Sequence, residues 1–563
     1  MNYIINKRTA SAIILGMLLC TVPMLGHAAA VENRTGIPNA GSILNELEPE
    51  RRITPRPSQP KIDVNVPQKE EAQVEASVFV RKIVFESQDM DVHDKFQYLT
   101  EGKTRRQMTF KDMQQIALNV TNALRAEGYM TALAYVPVQD ISDGVLRIKI
   151  MIGRYGDIDI HNTSQMTDNR VLRFLYQLKP GKLIDAKQLN KSLLVLNNIP
   201  GLKAKASLAP GTKRGTAKLS LDVETLEKQG AYLYVDNYGS SSTGRWRTGV
   251  DYHYDNLTRI GDQLDVSFLD SFKGIKNWQG QYSVPVGREG ATLRFLASHM
   301  NYDLGERWSY MDSNGLANTY EVGLTLPMKR TLHDSSFFDI AFRNRALDDT
   351  WFSNQLESKK TTNTLAMEVH GYGRDKNDSI SYSLAHSLGH LRMDSQYAKD
   401  TDLLNKAGGF EKTNASFYYI HQFDDKWQLH FSGSGQYAWD NLDSSENFYI
   451  GGANGVRAFP QGEVGGNNGI LGTLEARYNT KLEGLQLTAF IDAGRIKYDH
   501  QALSTDTSDT TRNLAGYGIG VIFSKSRDWY AKFDWARPWG SHYSVADGKK
   551  IDNMLWLRVV KQF

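Results

Sequence analysis

Arg457 and Asp492 are the two residues whose settings ask for a chemical explanation. The arginine lies in Gly451-Gly452-Ala453-Asn454-Gly455-Val456-Arg457-Ala458-Phe459-Pro460, a glycine-rich stretch closed by an aromatic–proline pair. The aspartate lies in Leu485 to Arg495, where Leu485, Leu487, Ala489, Ile491 and Ala493 form one alternating set. By parity Asp492 shares the opposite face with Phe490 and Gly494. A guanidinium can give two parallel hydrogen bonds to a carboxylate, which an ammonium cannot reproduce. The chemistry on offer is clamping. Glycines let such a segment bend tightly or pack closely, so it suits a loop folded into a confined space. Taken alone, the ten residues equally suit an exposed turn, and the two charges can be unrelated.

Catalytic and metal chemistry find little footing. His253, His430 and His542 are scattered and lie near no serine motif, and no phosphate loop is present. The chain has one cysteine, Cys20, inside an apolar run near the N-terminus. A disulfide frame and a thiolate metal site are therefore not expected. No catalytic residue, cofactor or metal is expected. A formal charge of +3 on 563 residues, without a long basic run, gives no support for nucleic-acid binding.

The elements that must position the pair begin with an export signal. Lys7 and Arg8 precede an apolar run from Ala10 to Leu25, then Ala28, Ala29 and Ala30, so residues 1–30 read as a secretory signal peptide. Within 31–52, Ala40, Ile43, Leu44 and Leu47 follow helical spacing from Asn39 to Arg52. A helix that short needs a surface to lie on. Pro55, Pro57, Pro60 and Pro67 make 53–76 an extended linker. Residues 77–153 and 154–226 then repeat strand, helix, strand, strand, with Thr109 and Asp112 capping a helix that Gly128 stops. Helices are also expected at 171–178 and 186–197. Units of this kind offer sheet edges for strand addition by peptides.

From 227 to 563 the helical period gives way to alternation. Trp246, Thr248, Val250, Tyr252 and Tyr254 oppose Arg247, Gly249, Asp251 and His253; Trp529, Ala531, Phe533 and Trp535 oppose Tyr530, Lys532 and Asp534. Segments of about ten residues with aromatic ends suit tilted membrane strands, and roughly sixteen of them suit a closed antiparallel barrel. The Arg457 stretch falls in a long loop, 440–469. The expected fold class is a transmembrane β-barrel preceded by two α/β domains and a short N-terminal helix, in a bacterial outer membrane.

This order, with these motifs, resembles the two-partner secretion transporters, in the superfamily that includes BamA-type barrel assembly proteins. Val456-Arg457-Ala458-Phe459 resembles the family's Val-Arg-Gly-Phe/Tyr signature at the tip of an inward-folded sixth loop, with alanine at 458 where glycine is usual. Phe490-Ile491-Asp492-Ala493-Gly494 resembles the Phe-x-Asp-x-Gly barrel-wall motif, and Pro38 to Leu44 the start of a plug helix. The resemblance implies POTRA domains at 77–153 and 154–226 that bind the secretion domain of one large β-helical exoprotein in the periplasm. That exoprotein is a haemolysin, an adhesin or a contact-dependent inhibition toxin. The helix carrying Ala40, Ile43, Leu44 and Leu47 leaves the lumen for it to pass. Outer-membrane lipids, the barrel-assembly machinery and periplasmic chaperones are the further implied partners, and the implied state is a monomer. The alternatives are an insertase of the same superfamily and an outer-membrane enzyme.

Overall fold

The period-two alternation of the C-terminal region resolves into sixteen antiparallel strands in one closed barrel, from Gln229–Asp236 to Met554–Gln562. In this computed structural model the described residues are 38–47, 62–64, 77–92, 94–226, 229–502, 509–525 and 528–563. The expected signal peptide, and most of the expected linker, lie outside them. Each barrel strand pairs with its sequence neighbour, and the first closes on the last through Tyr232↔Gln562 to Asp236↔Arg558.

Parity decides which side chains meet lipid. Leu233, Val250, Phe295, Phe342, Leu384, Leu487 and Ile519 are all exposed, an apolar belt that a water-soluble protein would not leave open. At the periplasmic rim Trp427 packs on Tyr478 with centroids 4.8 Å apart, and the Lys561 ammonium sits 5.1 Å from the Trp529 ring. Aromatic girdles of this kind anchor a barrel at its interfaces. The strands Asn314–Arg330, Asp334–Trp351 and Leu356–Arg374 have 17, 18 and 19 residues, more than a bilayer needs. Their outer faces turn polar at Asn344 and Asn363, whose side chains share a 2.8 Å hydrogen bond, and above that level the wall stands clear of hydrocarbon.

Two α/β units precede the barrel, each with its own apolar core. In the first, the helix Phe110–Ala126 starts on the Thr109–Asp112 capping box and buries Met113, Ile116, Ala117, Val120 and Leu124. The strand expected around 78–85 is two strands. Ser77–Val80 pairs antiparallel with Arg106–Thr109, while Lys82–Ser87 runs parallel to Val145–Met151. The break falls where the Arg81 and Lys82 amides both turn to the Gly144 carbonyl. In the second unit the helix expected at 171–178 spans Asp168–Phe174, and a longer one spans Ala186–Asn197.

The segment expected to be a linker holds a strand of its own. Ile62–Val64 runs parallel to Leu202–Pro210 and occupies the edge of the second unit's sheet, giving the order Ile62–Val64, Leu202–Pro210, Thr216–Thr225, Arg154–Asn162. An open edge of unpaired peptide groups accepts any extended neighbour, and here the chain supplies it.

Candidate functional site

The loop at 439–467 joins the strands Trp427–Ala438 and Asn468–Asn479 and folds back into the lumen. Its stalk is a short pair, Phe448–Tyr449 with Gly465–Gly466. Its tip buries Ile450, Val456, Ala458, Phe459 and Val464 against Leu471, Phe490, Leu514 and Trp556 of the wall. Burying that apolar set holds the tip in place and brings Arg457 into contact with the wall.

Arg457 is 4% exposed and saturated with partners. Nε and Nη2 donate to the two carboxylate oxygens of Asp492 at 2.9 and 3.0 Å, and its backbone amide donates to the same carboxylate at 3.1 Å. Nη1 donates to Glu475 at 2.7 Å and to Asp534 at 3.3 Å. The guanidinium lies 3.2 Å from the centre of the Phe490 ring, and Trp556 Nε1 donates to the Arg457 carbonyl at 2.7 Å. Burial alone would disfavour the charged guanidinium, but Asp492, Glu475 and Asp534 outweigh it and hold the proton more tightly than usual.

All seven residues singled out for the loop and its wall partner are thus found around one point. Phe490 and Asp492 are buried, while Ile491 between them is exposed to lipid. A Cβ on Gly494 would come within 3.0 Å of Ile450 Cδ1, so the loop passes directly over it. Ala458 is not among the residues with positive φ, so alanine here carries no left-handed strain. Its methyl is accommodated from the other side, since a Cβ on Gly516 would stand 2.3 Å from the Ala458 Cβ. Three of the contacting residues were not singled out from the sequence. All three had a signal, since Glu475, Asp534 and Trp556 all fall on inward parity.

The N-terminal helix, Ala40–Leu47, lies in the same lumen against the strands Ala291–Asp303, Asn314–Arg330 and Asp334–Trp351. It is described over a shorter span than the expected Asn39 to Arg52. Ala40, Ile43 and Leu44 are buried beside Met300, Tyr302, Trp308 and Leu347, with Leu47 half-buried at the edge of the group. The Ala40 amide donates to Asp349 Oδ1 at 2.7 Å, and the Tyr302 hydroxyl donates to the same atom at 2.6 Å. Asn39 and Asn45 reach Ser444, accepting from its hydroxyl at 2.7 Å and donating to its carbonyl at 2.8 Å. Gly41 lies flat on the same turn, where a Cβ would approach the Ser445 backbone nitrogen to 2.6 Å.

That turn, Ser444–Glu446, is the base of the folded-in loop, and it is itself pinned by charge. Lys360 meets Asp443 at 2.6 Å; Lys412 and Arg345 meet Glu446 at 2.6 and 3.3 Å. Burial pushes both carboxyls up, but their cations outweigh it and hold both below the ordinary carboxylate range. Glu46 has less support. Burial pushes it up to about 7, with Arg247 pulling the other way.

The barrel holds an arginine-clamped loop and a helix packed on its inner wall. The family model described as haemolysin secretion/activation protein ShlB/FhaC/HecB matches residues 215–523, and the ShlB-type POTRA domain model matches residues 78–153. The chain belongs to this family. It is a two-partner secretion transporter of the bacterial outer membrane, its barrel in the membrane and its POTRA region in the periplasm. It is 25% identical to the Heme/hemopexin transporter protein HuxB of Haemophilus influenzae over 98% of both chains. It is 24% identical to the Outer membrane transporter CdiB of Dickeya dadantii over 75% of this chain and 76% of that one. The structure of CdiB from Escherichia coli superimposes with a TM-score of 0.69 at 18% identity, covering 88% of this chain and 93% of the other. Transporters of this family work with a secreted exoprotein partner.

Proposed function

We propose that this transporter keeps its pore closed by seating the helix at 40–47 on the base of its own folded-in loop, and opens when an arriving exoprotein displaces the helix. The observation that carries this is Gly41 lying on the Ser445 backbone. Stopper and loop share a surface, so neither rests on the barrel wall alone. The cargo is a single large β-helical exoprotein that arrives unfolded, with its N-terminal secretion domain bound by the POTRA domains at 77–153 and 154–226. It is a haemolysin, an adhesin or a contact-dependent inhibition toxin. Folding outside supplies the direction, and the transporter works as a monomer without catalysis or cofactor. Barrel-assembly machinery and periplasmic chaperones insert it. An insertase would use the same arginine clamp, but the seated helix favours export.

The test is a disulfide between cysteines placed in the helix and in the facing strand at Leu347. Secretion of its partner exoprotein should stop under oxidising conditions and resume with reductant. Continued secretion with the bond closed would show that the helix stays in place.

A further inference from the structure

The helix and the loop tip divide the lumen unequally. The helix covers the wall from Ala291–Asp303 to Asp334–Trp351. The tip is clamped to Asn468–Asn479, Leu485–Lys497 and Trp529–Pro538. Between them on one side lie Leu356–Arg374, Asp378–Met393, Gly408–Gln422 and Trp427–Ala438. The loop base crosses only the outer ends of these strands, where Gln436 Nε2 donates to the Glu446 and Asn467 carbonyls at 3.0 Å each.

Below that crossing, two adjoining rows of hydroxyls run across the inner face. Ser383, Ser416 and Ser434 are in register, and so are Ser381, Tyr418 and Ser432 in the next row. Ser383 and Ser416 share a 3.0 Å hydrogen bond, and Ser416 is open to water in the lumen. Neither row contains a charge. Charged groups begin at the flanks, with His370 against Asp339 at 3.3 Å on one side and Arg477 against Glu475 at 2.7 Å on the other.

We infer that this hydroxyl wall is the track along which the exported polypeptide passes in extended form. The inference rests on the export reading and adds the path. A moving chain presents a peptide N–H and C=O at every residue, and each needs a partner away from bulk water. A hydroxyl both donates and accepts, so it serves either group in any register. Serine projects little, which leaves the space to the cargo. The absence of fixed charge means that neither acidic nor basic cargo segments are held, whereas a charged wall in a shielded lumen would trap segments of the opposite sign. Three strands at about 4.8 Å spacing make a strip about 10 Å wide, the width of one extended chain with its side chains.

The experiment places a photoreactive benzoylphenylalanine singly at 383, 416 and 434, and at 267 and 279 on the facing wall. Cells carry each full-length variant with its partner exoprotein fused to a disulfide-closed domain that stalls it in transit. Cross-links to stalled cargo at 383, 416 and 434, several-fold above those at 267 and 279, are expected. Equal or stronger cross-links at 267 and 279 overturn the track. A companion variant, Ser416→Arg with Ser434→Arg, should slow secretion several-fold while the barrel still shifts on heating in detergent gels. Unchanged secretion by that variant also overturns the track. If the native transporter fails to release the unfused exoprotein at all, the export reading falls first and the track with it.

Discussion

The arginine clamp and the helix seat occupy one lumen and are built from opposite materials. At the clamp, a buried guanidinium meets three carboxylates and an aromatic face, and each of its three nitrogens donates to a carboxylate. At the seat, Ala40, Ile43 and Leu44 bury apolar surface, and few hydrogen bonds reach across. Burying a leucine or isoleucine side chain is worth about 1.5–3 kcal/mol, and an eight-residue helix spends much of that on ordering itself. Leaving a buried carboxylate without its cation costs about 3–5 kcal/mol. The clamp is thus suited to stay, and the helix is suited to leave. A gated pore needs both kinds of contact.

The largest effect should follow from Arg457→Ala, which leaves Asp492, Glu475 and Asp534 buried without their shared cation. Loop seating should lose about 3–5 kcal/mol, and secretion should fall to background while the barrel remains heat-modifiable in gels. Arg457→Lys keeps the charge but loses the two-pronged contact, so secretion near the native level would show that charge alone suffices. Second in size is Gly41→Val, whose Cβ would stand 2.6 Å from the Ser445 nitrogen. Single-channel conductance in planar bilayers should rise to that of a chain lacking residues 38–47. Conductance at the native level would place the helix elsewhere.

A smaller effect should come from pH. Glu46 holds its proton up to about 7 when the helix is seated, against an ordinary value of 4.5. The seated state therefore binds more protons between those values. Seating is strongest below about pH 4.5, weakens as pH rises through about 7, and levels off above. Closed-channel occupancy should be higher at pH 5 than at pH 8, and Glu46→Gln should flatten the difference. Smallest is Ala458→Gly, which removes one methyl packed over Gly516. A loss of about 1 kcal/mol in loop seating and near-native secretion are expected, read by protease access to the loop.

The fold was legible because a barrel writes its pattern on every strand. Ile491 outward and Asp492 inward follow from alternation alone, and the capping box at Thr109 announces its helix. Alternation turned Asp492 inward, and the resemblance of the two motifs to the family's signatures supplied its pairing with Arg457. The helix seat was not. Asp349 is one inward aspartate among several, and only the folded loop decides that it meets the Ala40 amide. Nor does anything in sequence spacing link Ala458 to Gly516, which lie on different elements and meet only when the tip docks. The strand at Ile62–Val64 was hidden by the prolines around it, because three residues are too few to show a period.

That added strand shortens the leash on the stopper. With Ile62–Val64 paired to the second α/β unit, only residues 48–61 join it to the helix, and fourteen residues cannot reach beyond about 50 Å. A released helix stays within that radius of the paired strand at Ile62–Val64, at an effective concentration in the millimolar range. Resealing is then a first-order event that needs no search through the periplasm. Under the gating proposed above, the pore would close behind each cargo at a rate set by fourteen residues of chain.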